Sequence, residues 1–378
     1  MTVRRFSFCA AFISVLCVIA LTFGSCGISD ITHFVGDIIG SESEYSYSLL
    51  NSRLTAAAEK NEPSCTIKFA TDGKNYSDTV NNDINRIFEE DEYFAYYVDR
   101  VTMNYSSDVY TATVVCDISY ANNTVLRDEI IDVSSADLEK ACEIAKAILQ
   151  TGSQTVAFHS ANGFDDDTIQ TILNTVSINS GTAYTFSDYE CMYYPKDSRK
   201  ILLLDFISNI PKEKRAELNQ QLYDAVSEIA AKIAAENEGE NKKRLCLAIH
   251  NYICENARYD YDIVSESVQT DEAMIARSAY GALIGGKTVC SGYSSAFYLL
   301  YNEIIGDGEC KIVAGKQGEG DDAVGHAWNV VYDNGEQYYI DCTFDDNDDG
   351  SYDFDYFYEP TDSDNFKHHV FEKNYIMD

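Results

Sequence analysis

From residue 65 onward the hydrophobic positions switch between a period of two and a period of three to four, and the switches divide the chain. Cys65–Ala70 reads as a strand. A helix with Val80, Ile84, Ile87 and Phe88 on one face follows, then paired strands over Val98–Tyr105 and Val109–Tyr120. A second helix carries Leu138, Cys142, Ala145 and Leu149. The series then repeats: a strand over Thr155–Ala161, a helix bearing Ile169, Ile172, Leu173 and Val176, and strands over Ala183–Tyr194 and Lys200–Ile207. Pro211 opens a helix with Leu218, Leu222, Val226, Ile229 and Ile233. Both halves read β-α-β-β-α, so 65–150 and 151–237 are expected to be two related accessory α+β modules. The charged break Glu236–Glu240, with Gly239 in it, marks the start of a further domain, 238–378.

In that domain a helix after Asn241 buries Leu245, Ala248, Ile249, Tyr252 and Ile253. A turn with Gly285 and Gly286 precedes a second helix, along which Tyr293, Ala296, Phe297, Leu300, Tyr301 and Ile304 recur until Gly306. Cys290 falls in its first turn. Free N–H groups and the positive end of the helix dipole meet there, so a thiolate is expected to be stabilised and its pKa lowered, and the same N–H groups suit a developing oxyanion. Val324–Asp333 and Gln337–Thr343 read as strands, joined by the hairpin signal Asp333-Asn334-Gly335-Glu336. A two-residue loop pairs Asp333 with Glu336. His326, Trp328, Tyr339, Asp341 and Thr343 then share one face, with Asp341 the diagonal neighbour of His326. An odd-length loop without a bulge would put His326 and Asp341 on opposite faces. Alone, a buried Cys, a strand His or a turn Asp is ordinary packing. Together they form a nucleophile (Cys290), a general base (His326) and an orienting acid (Asp341), with Trp328 placed to shield the pair from water.

These residues resemble the transglutaminase-like superfamily, relatives of papain-type cysteine proteases. The resemblance rests on Val289-Cys290-Ser291-Gly292-Tyr293-Ser294, on His326-Ala327-Trp328-Asn329 and on Asp341-Cys342-Thr343-Phe344-Asp345-Asp346. Ser294 stands where alanine is usual, and Phe344 where tryptophan is. Ile249-His250-Asn251-Tyr252 and Tyr259-Asp260 upstream, and Tyr356-Phe357 with His368 or His369 downstream, extend it from about Lys242 to the C-terminus. It implies an α+β, papain-like core with the nucleophile helix packed on an antiparallel sheet. It also implies a Cys290–His326–Asp341 triad and, as a supporting oxyanion donor, Tyr259. The family holds crosslinking acyltransferases, deamidases, peptidases and members without known activity, and fold kinship does not choose among them. The expected function is thiol-dependent acyl transfer or hydrolysis on peptide or protein amides, with hydrolysis slightly favoured because water needs no second binding site. The alternative is a non-catalytic surface-binding or structural lipoprotein that retains the fold.

Composition adds an address and removes some partners. Arg4 and Arg5 precede the apolar run Phe6–Phe23, and Gly24-Ser25 leads to Cys26. This resembles a bacterial lipoprotein signal, 1–25, with lipid on Cys26 and a polar tether over 26–64 that holds one helix near Tyr45–Lys60. The expected place is extracytoplasmic, on the outer face of the cell membrane, held through the lipid only. No later run is apolar and long enough to span a bilayer. A net charge of −34 over 378 residues argues against nucleic acid or an anionic membrane surface as partner. A peptide or protein at the cell surface or wall is the expected substrate. Of the 12 cysteines, eight remain once Cys9, Cys17, Cys26 and Cys290 are set aside, an even number that permits disulfides without naming any. There is no CxxC, so no spacing points to zinc, and no cofactor is expected. Asp345-Asp346-Asn347-Asp348-Asp349-Gly350 opens like a calcium loop, which makes Asp345, Asn347, Asp349 and Asp353 weak calcium candidates. Tyr356 replaces the closing Glu, so a solvated acidic loop is the default. Many of the 28 tyrosines fall in the N-terminal strands, where they are expected to pack a sheet face.

Overall fold

The computed structural model describes residues 43–371 apart from 72, 122–124, 134–137, 179, 265–269, 307 and 320–322. The expected signal peptide, Cys26 and the first part of the tether lie outside the described residues. The architecture is mixed α+β with three sheets. Two compact units divide it. One takes the chain through Ile87 together with Val98–Tyr120; the other takes Phe88–Tyr97 and the chain from Ala121. Among the described residues, no helix is long and apolar enough to cross a membrane.

In the first unit, helix α1 (Tyr47–Glu59) starts at Ser46, whose hydroxyl accepts from the Leu49 N–H, and buries Leu50, Leu54 and Ala57. Strands β1 (Ser64–Ala70), β2 (Val98–Ser107) and β3 (Thr111–Tyr120) form an antiparallel sheet in the order β1-β3-β2. Strict alternation in β3 buries Ala112, Val114, Cys116 and Ile118. Helix α2 (Ser77–Glu90) buries Val80, Ile84 and Ile87, a three- and four-residue recurrence.

The second unit opens with α3 (Glu92–Tyr97). Its first sheet has the order β4-β5-β7-β6, from β4 (Ile131–Asp132), β5 (Thr155–His159), β6 (Asp188–Tyr194) and β7 (Ile201–Ile207). Helices α4 (Leu138–Gln150) and α5 (Asp166–Ile178) pack on it. Here the expected modules need correction. Ala141, Cys142, Ala145 and Leu149 of α4 lie in one core with Ile172, Val176, Leu202, Leu204 and Phe206, so α4 belongs with the second sheet and does not close a 65–150 module. Strand β4 is two residues long, too short to leave a periodic signal, yet it pairs in parallel with β5 and leads into α4.

The expected boundary at 237/238 does not separate cores either. Helix α6 (Lys212–Glu236) puts Leu218, Leu222, Val226, Ile229 and Ile233 into one cluster with Cys246, Ile249 and Ile253 of α7 (Lys242–Asn256). Tyr293, Ala296, Phe297 and Leu300 of α9 (Cys290–Ile304) join that cluster, while the short α8 (Asp271–Ala276) precedes them. The charged break Glu236–Glu240 is the turn between two helices whose apolar faces meet.

Helix α9 packs against β8 (Cys310–Gln317) and β9 (Val324–Asp333). These strands join β10 (Glu336–Ile340), β11 (Glu359–Pro360) and β12 (His369–Phe371) in an antiparallel sheet ordered β11-β10-β9-β8-β12. The hairpin register matches the sequence expectation, from Glu336 opposite Asp333 to Ile340 opposite Asn329. Asn334 and Gly335 both hold positive φ, 52° and 83°, as a two-residue primed turn requires. The second strand is shorter than expected, however. It stops at Ile340, and Cys342–Asp345 forms a helical turn, α10. Asp341 causes the stop: its carboxylate accepts from the N–H groups of Thr343 and Phe344, an N-cap that outcompetes the ladder.

Candidate active site

The position of Cys290 is built from backbone outward. The Arg258 N–H donates to the Gly286 carbonyl, the Thr288 N–H to Arg258, and the Asp260 N–H to Thr288, so two segments run together into the start of α9. Gly286 closes the preceding turn with φ 71°, a conformation that favours glycine. The Thr288 hydroxyl donates to the Ala276 carbonyl and the Ser291 hydroxyl to the Arg277 carbonyl, both at 2.6 Å. Gly292 is required by space: a Cβ there would lie 1.7 Å from Thr288 Oγ1 and 2.7 Å from the Ser278 carbonyl oxygen. These contacts hold the first turn of α9 and leave Cys290 half-buried on a cleft.

The cleft has a volume of about 810 Å³, and Cys290, His326, Tyr259, Phe344 and Thr343 are in its wall. His326 Nε2 lies 2.6 Å from Asp341 Oδ2. The hairpin that sequence spacing predicts therefore does bring this pair together, although through the cap at Asp341 and not through a ladder reaching Thr343. Trp328, 1 % exposed, stacks beside the His326 ring with centroids 5.9 Å apart. Phe344 meets the same ring edge-on at 5.0 Å. Burial would lower the His326 pKa. The charge of Asp341, its hydrogen bond and then the neighbouring Cys290 side chain outweigh burial and push the value up from 6.5 to about 10. Burial would raise the Asp341 carboxyl; the charge and hydrogen bond of His326, then His369, hold it below its ordinary range instead. Tyr259 is pushed up to about 12, by burial first and then by Cys290, Tyr261 and Asp341.

Sequence spacing misses one member of this group. His369 Nε2 lies 3.1 Å from the same Asp341 Oδ2. Asp341 Oδ1 accepts from the N–H groups of Thr343 at 3.0 Å and Phe344 at 3.4 Å. Two imidazoles and two backbone amides thus occupy the carboxylate, about all the lone pairs it has. His369 Nδ1 is buried without a hydrogen-bond partner, which suits the tautomer carrying hydrogen on Nε2. The only clue in the chain is the position of His369 in the closing strand, and its approach depends on β12 pairing with β8. Asn329 is a second omission. Its side-chain amide donates to the Ser294 carbonyl at 3.0 Å and ties β9 to the first turns of α9.

The four calcium candidates all have hydrogen-bond partners within the protein. Asp345 is fully buried; its Oδ2 is 3.0 Å from His250 Nε2 and its Oδ1 accepts from the Tyr356 N–H. Asn347 donates to Ser351 and Asp353, and Asp349 accepts from Ser351, so the remaining candidates bond within their own loop. Among the described residues, two other groups have donor atoms close enough to share a metal ion: His326, Asp341 and His369, which form the site just described, and His250, Cys254 and Cys342. The second group arises without a CxxC, from residues 88 apart in sequence between Cys254 and Cys342.

No protein-family model and no curated protein matches this sequence. Among solved structures the chain is distantly similar to the crystal structure of a TGase, with 14% identity and a TM-score of 0.28, over 62% of this chain and 65% of that one. It is also similar to a candidate cysteine protease from Cytophaga hutchinsonii, with 15% identity and a TM-score of 0.25, over 41% of this chain and 61% of that one. The chain spans less than two thirds of the length of either protein.

Proposed function

We propose that the chain is a thiol enzyme acting on peptide or protein amide bonds through an acyl-thioester on Cys290. The observation that carries this reading is the meeting, at one cleft, of Cys290 and an imidazole held at 2.6 Å by a buried carboxylate. With Nε2 on Asp341, Nδ1 of His326 is the nitrogen left to serve the thiol. It takes the Cys290 proton, and sulfur adds to the amide carbonyl. The oxyanion is met by N–H groups of the first turn of α9 and by the Tyr259 hydroxyl. Collapse breaks the C–N bond; the departing amine takes the proton from His326, and the thioester remains. An acceptor then gives its proton to His326, attacks the thioester and frees the Cys290 sulfur. Asp341 keeps its charge throughout and fixes the ring orientation, while Trp328 and His369 hold the pair in place.

Water is the favoured acceptor, since hydrolysis needs no second site. Amine transfer is the second reading, because the Asp348 carboxylate stands in the cleft wall where a cationic amine would approach. The sequence of the first 26 residues supports lipid anchoring on the outer membrane face, with a surface or wall peptide as substrate. Mass spectrometry of a peptide library, incubated with and without an added amine, tests the reading. Cleavage, deamidation and amine incorporation change mass differently, and each must vanish in Cys290→Ala. If the wild-type chain yields no product of any kind, a non-catalytic binding lipoprotein becomes the better account.

A further inference from the structure

Helices α7 and α10 bring three groups of metal-binding chemistry, His250, Cys254 and Cys342, within reach of one another, with Asp345 beside His250. His250 and Cys254 are four residues apart on α7, so they share a helix face. Cys342 and Asp345 stand at the two ends of α10, the turn that Asp341 caps. His250 and Cys254 are 0 % exposed, Asp345 0 % and Cys342 3 %. The His250 Nε2 and the two sulfurs all lie within 4.8 Å of one another. That nitrogen is 3.8 Å from Cys254 Sγ and 3.0 Å from Asp345 Oδ2. A tetrahedral zinc ion with ordinary bond lengths separates sulfur from nitrogen by about 3.6 Å and nitrogen from oxygen by about 3.4 Å. On these two separations, shifts of a few tenths of an ångström would bring His250 Nε2, Cys254 Sγ and Asp345 Oδ2 to zinc-ligand spacing.

We propose that His250, Cys254, Cys342 and Asp345 form a structural zinc site that fastens the turn carrying Asp341 to helix α7. The surroundings have the outer contacts such a site needs. His250 Nδ1 is 3.3 Å from Asn251 Oδ1, which orients Nε2 toward the two sulfurs and Asp345. Asp345 Oδ1 is held by the Tyr356 N–H at 3.0 Å, so Oδ2 and His250 Nε2 would exchange the hydrogen bond between them for bonds to the ion. The buried Phe357 packs on the imidazole with centroids 5.2 Å apart, and the half-exposed Phe354 lies beside it at 5.6 Å. On binding zinc the two thiols would give up their protons, and zinc takes this mixture of sulfur, nitrogen and oxygen. Every ligand is supplied by the protein, so the site is closed, as structural zinc sites are, and performs no step at Cys290. Its position gives it a positioning role: Cys342 is the residue after Asp341.

The test uses the full chain purified without chelator. Metal analysis is expected to find about one zinc ion per chain. Stripping with a strong chelator should lower the melting temperature, and zinc should restore it. Cobalt(II) added to the stripped protein should develop thiolate-to-metal charge transfer and the intense visible bands of a tetrahedral complex. Cys254→Ser and Cys342→Ser should each lose the zinc and the charge-transfer band, while Cys191→Ser, in β6, should keep both. Zinc well below stoichiometry with no thiolate–cobalt band in the unsubstituted chain would overturn the proposal, whatever the variants do. So would a Cys254–Cys342 disulfide in the freshly purified protein, or zinc retained by the double variant. Labelling of Cys290 in the chain as purified is a separate readout, so loss of the zinc site leaves the thiol reading standing.

Discussion

At the scale of single residues, the account turns on how Asp341 is held. Its four hydrogen bonds keep it charged beside His326, and the charge in turn keeps the imidazole basic despite burial. Asp341→Asn should cost on the order of 10⁴ in kcat, since an amide holds the wrong tautomer. His369→Gln removes one hydrogen bond to a charged group and should cost about tenfold, read as a kcat change with KM little altered. The sign of the pH effect follows from the raised His326 value. The ion pair contributes to stability fully below pH 6.5, and that contribution is lost as pH rises through about 10. The groups facing His326 are Asp341, His369 and Cys290. The melting-temperature gap between wild type and His326→Gln should therefore be constant in mildly acidic buffer and close on the alkaline side. A gap that widens with rising pH would contradict the assignment.

At the scale of elements, legibility followed the range of the contact. The hairpin over β9 and β10 could be read to the residue, because Asn334-Gly335 sets the loop and alternation sets the face. The end of β10 could not, because capping by Asp341 competes locally with the ladder and periodicity does not record that competition. His369 and the His250–Cys254–Cys342 group were hidden for another reason: each needs a tertiary contact between distant segments. Gly292 was visible as part of a motif, but its cause is a close approach to Thr288. Gly292→Ala should destabilise the protein by about 1–3 kcal/mol through overpacking and should slow Cys290 labelling more than it slows labelling of other thiols. Unchanged stability and labelling would show that the first turn has room to spare. In the first unit, Cys65 and Cys116 face each other directly across β1 and β3. Directly opposed strand residues fall within disulfide reach, so mild oxidation should link these two and leave the buried Cys142 reduced, as a non-reducing peptide map would record.

At the scale of the whole molecule, the sequence showed which elements exist better than which core each one joins. The β-α-β-β-α reading placed the four helices it named and missed α3, yet α4 lies in the next sheet's core and α6 in the core of the helix that Cys290 begins. Patterning shows that a helix has an apolar face; it does not say what covers that face. The consequence for dissection is specific. Removing α6 strips Leu218, Leu222, Val226, Ile229 and Ile233 from the shared cluster. At about 1.5–3 kcal/mol for each buried aliphatic side chain, the loss matches or exceeds the usual stability of a domain, about 5–15 kcal/mol. A 238–378 fragment should show no cooperative unfolding, whereas one beginning at Ala121 keeps the cores that α4 and α6 join, losing only the Phe88–Tyr97 segment of its unit, and should retain most of its structure. A stable, cooperatively folding 238–378 fragment would contradict the shared core.

The most direct measurement of the central claim is the rate at which a small thiol-reactive electrophile modifies each cysteine of the full chain across pH, read by peptide mass spectrometry. The account predicts fast, selective modification of Cys290 well below about pH 8, the free-thiol range, with that selectivity abolished in His326→Ala. Modification of Cys290 at the rate and pH of the other accessible thiols, unchanged when His326 is removed, would contradict it.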